Sequence, residues 1–145
     1  KKMTSSPLPL DKYFSYAVAS THRKLHVNLN KQLNSYGIQV ETWRVLETLD
    51  QTTNLTMSDL AKVVLMNPPA LTKMVDRMVS DGLVQRQISR EDQRQVTLVL
   101  TNMGLDLVQN VRQPAIHQNA TVVEQLGPEK AALIHEALES LNKLL

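Results

Sequence analysis

Over residues 56–101 the spacing of apolar positions changes from helical to alternating, and the change sets out an order of elements. Leu55-Thr56-Met57-Ser58-Asp59-Leu60 reads as a helix start. The Thr56 hydroxyl can accept from the Asp59 amide, and Leu55 and Leu60 stand at the spacing of a hydrophobic staple. A helix is predicted over 57–65. Asn67 is a good N-cap, and Pro68 suits the first position of a second helix, where its fixed φ helps and its missing N–H is not required. In that helix Leu71, Met74, Val75, Met78 and Val79 recur at i, i+3, i+4, i+7 and i+8, one apolar stripe for a core. The other face carries Pro69, Thr72, Lys73, Asp76, Arg77 and Ser80, mixed and capable of hydrogen bonding, as a base-reading face must be. Gly82 stands where a left-handed residue ends such a helix.

Residues 83–88 and 95–100 are rich in β-branched and long apolar side chains, and the second run alternates with period 2. The polar run between them, Arg90-Glu91-Asp92-Gln93-Arg94, is predicted to be a hairpin tip. Helix, turn, helix and hairpin in this order are what a winged helix-turn-helix uses to place one helix in a DNA groove and a basic tip beside it. The flanks are helical. Phe14, Val18, Thr21, Leu25 and Leu29 set a long helix over 11–33, and Trp43, Leu46 and Leu49 a shorter one over 40–49. Leu107, Val108, Val111 and Ala115 set a helix over 102–123, with Pro114 inside it as an expected kink, and Pro128 opens a last helix with Leu133, Ala137, Leu141 and Leu144. The fold class is therefore mainly α: about six helices and a two-stranded β-wing.

The motifs resemble a known family. Leu60-Ala61, Asp76-Arg77-Met78, Gly82-Leu83-Val84-Gln85-Arg86, Asp92-Gln93-Arg94 and Leu100-Thr101-Asn102-Met103-Gly104 look like the signature of the MarR family of bacterial transcriptional regulators, with matching spacing. Gly37-Ile38 and Trp43-Arg44-Val45-Leu46 resemble the start of that family's second helix. The resemblance covers nearly the whole chain and is most specific at the Asp-x-Arg wing before Leu-Thr-x-x-Gly. The chain departs from the pattern at Pro68-Pro69 and at Ser89. The resemblance implies one domain over 1–145, with a winged-helix part at 38–100 and dimer-forming helices at 11–36 and 102–145. It also implies a repressor released from DNA by a small ligand.

Composition narrows the function further. There are no cysteines among the 145 residues, so disulfides, zinc-thiolate sites and thiol redox sensing are excluded. No apolar run approaches a membrane span and Lys1-Lys2-Met3 precedes no apolar signal region, so a cytoplasmic protein is expected. A net charge of +2 says little alone, but its distribution says more. Over 62–94 six basic residues (Lys62, Lys73, Arg77, Arg86, Arg90, Arg94) face four acidic ones, whereas over 101–145 three face five.

The expected DNA-contacting set follows. Pro68, Pro69, Ala70, Thr72 and Lys73 would approach the major groove, Thr72 and Ala70 suiting thymine methyls and Lys73 guanine acceptors. Arg77, Arg86 and the Asn67-capped helix N-terminus would meet phosphate. At the wing, Arg90, Asp92, Gln93 and Arg94 form the tip, with the Asp92 carboxylate orienting the Arg94 guanidinium for a narrow A/T-rich minor groove. Apolar faces on the terminal helices predict a homodimer, whose two recognition helices would meet successive major grooves about 34 Å apart on a near-palindromic duplex. Trp43 and Arg44, an aromatic face beside a guanidinium, with His22 and His26, are a candidate site for a small aromatic acid. Set against it, Trp43 reads as core and Arg44 as helix surface. His22 and His26 stand at i, i+4, which is metal-ligand spacing, but no acidic residue lies near them in sequence, so no metal or other cofactor is expected. No Gly-rich phosphate loop, nucleophile motif or carboxylate cluster points to an enzyme. The competing reading is a winged helix used as a protein-interaction module without specific DNA binding.

Overall fold

The computed structural model describes residues 6–88 and 94–145. The chain divides into two compact units, Lys1–Val40 and Glu41–Leu145.

In the first unit a 3-10 turn, Leu10–Lys12, precedes helix α1, Phe14–Leu33. The helix expected from residue 11 is interrupted at Tyr13, which is extended (φ −77°, ψ 131°) and serves as N-cap of α1. A second 3-10 turn, Asn34–Tyr36, closes on Gly37 in the left-handed region. Leu29, Leu33 and Val40 are buried. The Asn30 side-chain oxygen accepts from the Val40 amide at 2.8 Å, capping the chain where the next helix begins.

The second unit carries helices α2 (Val40–Gln51), α3 (Met57–Val64) and α4 (Pro68–Ser80), strands β1 (Val84–Ile88) and β2 (Val96–Leu100), and helices α5 (Asn102–Leu126) and α6 (Pro128–Leu144). Both predicted caps form: Thr56 Oγ1 accepts from the Asp59 amide at 3.1 Å, and Asn67 Oδ1 from the Ala70 amide at 2.9 Å. α3 ends one residue earlier than the pattern predicts, because Leu65 turns left-handed (φ 62°) and Met66 N–H closes back on the Ala61 carbonyl at 3.0 Å. α3 packs on α4, and the expected stripe of α4 supplies buried Leu71, Val75 and Met78 opposite buried Leu60, Ala61 and Val64 of α3.

The wing is antiparallel, in register from Val84↔Leu100 to Ile88↔Val96. Thr56 adds a bridge to Thr97, which ties the start of α3 to the wing. The start of α5 is fixed to the wing base. The Thr101 amide donates to the Leu83 carbonyl at 3.0 Å, its hydroxyl donates to the Gly82 carbonyl at 2.5 Å, and that hydroxyl accepts from the Gly104 amide at 3.0 Å. α5 continues through Pro114 to Leu126, and Gly127 (φ 90°) separates it from α6.

Candidate nucleic-acid interface

The buried stripe of α4 turns its opposite face outward, and that face is the one predicted to read bases. Asn67, Pro68, Pro69, Ala70, Thr72, Lys73, Asp76 and Arg77 are all exposed, while Leu71, Val75 and Met78 between them are not. Helical spacing therefore brings these side chains onto one surface, with Lys73 and Arg77 one turn apart.

Arg86, on β1, reaches this surface from the wing. Its Nη2 donates to Asp76 Oδ1 of α4, an ion pair that sets the guanidinium against the recognition helix. Both side chains remain open to solvent, so the pair orients Arg86 without removing it from reach of a phosphate. Arg94 is exposed, two residues before β2 begins. The expected contacts of Arg90, Asp92 and Gln93 lie outside the described residues.

One expected anion contact has lost its donors. A helix N-terminus binds phosphate through free backbone N–H groups. Here Pro68 and Pro69 have none, the Ala70 amide is held by Asn67 Oδ1, and the Leu71 amide donates to the Asn67 carbonyl at 3.1 Å. The start of α4 thus presents a dipole but no free hydrogen-bond donor from Pro68, Pro69, Ala70 or Leu71. The dipeptide Pro68-Pro69 alone shows two of these missing donors in the sequence.

The candidate ligand residues fall in both units. In the first, the His22 and His26 rings contact each other, centroids 5.3 Å apart. In the second, Trp43 and Arg44 are both half-buried, between the core and surface roles that the sequence suggested. Trp43 Nε1 donates to Glu47 Oε1 at 3.3 Å. The guanidinium on that same carboxylate is Arg112 of α5, whose Nε lies 3.0 Å from both Glu47 oxygens. Sequence reasoning missed Arg112, which stands far along the chain from Trp43 and belongs to no motif. Among the described residues no group of three or more His, Cys, Asp or Glu could hold a metal ion, and no helix is long and apolar enough to cross a membrane.

A helix-turn-helix followed by an antiparallel wing, with a polar recognition face and cations beside it, defines a winged-helix DNA-binding protein. The MarR family profile matches residues 38–96. The HTH-type transcriptional regulator FarR of Neisseria gonorrhoeae is 32% identical over 112 residues, 77% of this chain and 77% of that protein. The multiple antibiotic resistance protein MarR of Escherichia coli K12 is 31% identical over 116 residues, 78% of this chain and 79% of that protein. A crystal structure of the Escherichia coli MarR C80S mutant complexed with operator DNA superposes with a TM-score of 0.80 at 25% identity, covering 88% of this chain and 91% of that one. The chain belongs to the MarR family. It is a DNA-binding transcriptional regulator with the six-helix, two-stranded winged fold expected from its sequence.

Proposed function

We propose that this regulator is a cytoplasmic repressor that binds a near-palindromic operator as a homodimer and leaves it when a small aromatic acid binds. The observation that carries DNA reading is the exposed face of α4, where Thr72, Lys73 and Arg77 stand beside an Arg86 that Asp76 holds in place. Lys73 supplies a donor for guanine acceptors, Thr72 and Ala70 supply methyls for thymine, and Arg77 and Arg86 neutralise phosphates.

Dimerisation is supported by apolar side chains exposed on the terminal helices. Phe14 on α1 is 78% exposed and Leu133 on α6 is 62% exposed, with Val18, Ile134, Leu138 and Leu144 also open. Apolar surface of this extent on helices outside the reading head is what a second copy would cover. For the ligand, Trp43 and the Arg112 guanidinium share the Glu47 carboxylate, an aromatic face and a cation in one network. An aromatic carboxylate can compete with Glu47 for that cation.

Selection of bound duplexes from random sequence, followed by sedimentation of free protein and complex, tests the reading. A two-fold symmetric consensus bound by two chains is expected. A folded monomer with no preferred sequence would leave the protein-interaction module as the better account. For the ligand, aromatic acids are expected to raise the melting temperature and release the duplex; a panel in which none does either would remove that part of the reading.

A further inference from the structure

Arg112 lies outside the surface predicted to touch DNA, yet it makes the densest set of charged contacts among the described residues. It sits about three turns beyond the N-cap of α5. Its guanidinium spans two carboxylates of α2. Nε donates to both Glu47 oxygens at 3.0 Å, Nη2 lies 2.8 Å from Glu47 Oε2, and Nη2 also pairs with Asp50 Oδ2. Glu47 is aimed by its own helix, accepting from Trp43 Nε1 at 3.3 Å on one side and Gln51 Nε2 at 3.2 Å on the other. The Glu47 side chain is only 14% exposed, so the pair is shielded from salt far better than an ordinary surface bridge. The two carboxylates, Glu47 foremost through its hydrogen bonds, push Arg112 still further into its charged form.

Its position along α5 gives the network a mechanical meaning. Thr101 and Gly104 root the helix in the wing base, and Arg112 ties it to α2. Two residues later Pro114 has no N–H to donate, so the helix loses a backbone hydrogen bond where the clamp ends. α3 and α4 pack directly on each other, and the charged network adds a tie between α2 and α5. We infer that Arg112 is a positioning residue for DNA binding: by holding α2 through Glu47 and Asp50, it makes the reading head and the first part of α5 one rigid body. Bending of α5 then begins at Pro114, and the distance between the two recognition helices of a dimer is set beyond the clamp. This rests on the reading of the protein as a dimer on a two-fold operator.

The test uses the full chain and a duplex selected by the wild-type protein, with a companion duplex in which one base pair is inserted between the half-sites. Wild type should bind the selected duplex tightly and discriminate against the insertion. Arg112→Met and Glu47→Gln should weaken binding to the selected duplex by roughly tenfold, within the range that coupling between sites carries. They should also bring the ratio between the two duplexes toward one. Arg112→Lys should restore the ratio only in part, because lysine lacks the fork that spans two carboxylates. A merely structural residue would lower affinity for both duplexes alike and leave the ratio unchanged. Should Arg112→Met or Glu47→Gln fail to fold, Asp50→Asn removes one arm of the clamp at the more exposed carboxylate, and it too should lower the ratio. Folded variants that keep the wild-type ratio, or a wild type without spacing preference, overturn the inference while leaving DNA binding intact. A wild type that binds no duplex overturns the reading beneath it as well.

Discussion

Asp76 of α4 holds Arg86 of the wing, so the two parts of the protein proposed to face DNA are joined by a charged side-chain contact as well as by the chain between them. The pair is open to solvent, and pairs of this kind contribute about 0–1 kcal/mol to stability. Its effect is therefore expected in binding. Asp76→Asn should keep the melting temperature within a few degrees of wild type and weaken operator binding measurably, because Arg86 loses its orientation. Fluorescence anisotropy beside a thermal melt checks both. Unchanged affinity would mean that Arg86 needs no brace.

The wing base has no room for a side chain at residue 104. A Cβ built on Gly104 would lie 2.1 Å from the Leu83 carbonyl oxygen, which is itself bonded to the Thr101 amide. Gly104→Ala must push α5 away from the wing, and overpacking against backbone costs about 1–3 kcal/mol. Urea unfolding should show a lower midpoint at unchanged slope. Wild-type stability would show that the start of α5 is looser than these bonds imply.

Leu65 closes α3 in the left-handed region at φ 62° with an exposed side chain. For a non-glycine residue that geometry costs about 1–2 kcal/mol, and a β-branched side chain tolerates it least. Leu65→Val should destabilise the protein, whereas Leu65→Gly should be neutral or stabilising by up to about 1 kcal/mol, the relief offset by glycine's greater freedom when unfolded. The order of melting temperatures, glycine at or above leucine and leucine above valine, decides the matter.

Arg94 is exposed in the wing, where the sequence places it for the minor groove. Arg94→Ala should weaken operator binding strongly in a protein that stays folded, and Arg94→Lys should recover only part of the loss, lysine lacking the planar fork. Wild-type affinity in folded Arg94→Ala would make the wing an ornament in binding.

Local signals carried most of the fold. Thr56 and Asn67 cap the helices they were expected to cap because such bonds reach only three residues ahead, and the α4 stripe buries as its spacing requires. The interruption at Tyr13 was hidden because no glycine or proline marks it between Leu10 and Leu33, and the left-handed turn at Leu65 because no glycine marks it. Contacts between distant segments were not legible. Nothing in either helix alone says that Arg112 lies on Glu47, and the sequence offered Arg44 as the cation beside Trp43 because it was adjacent. The start of α4 is an intermediate case: Pro68-Pro69 shows two missing N–H groups in the sequence, whereas the engagement of the Ala70 and Leu71 amides by Asn67 is seen in the fold.

The salt dependence of operator binding is the decisive measurement. If Lys73, Arg77, Arg86 and Arg94 face the duplex, log K should fall linearly with log[salt], by about 0.9 for each phosphate neutralised. Arg77→Ala should make the slope shallower by about one contact. The selected near-palindromic duplex should remain preferred over random DNA at every salt concentration. A flat salt profile, or equal affinity for selected and random duplexes, would contradict sequence-specific DNA binding through this face.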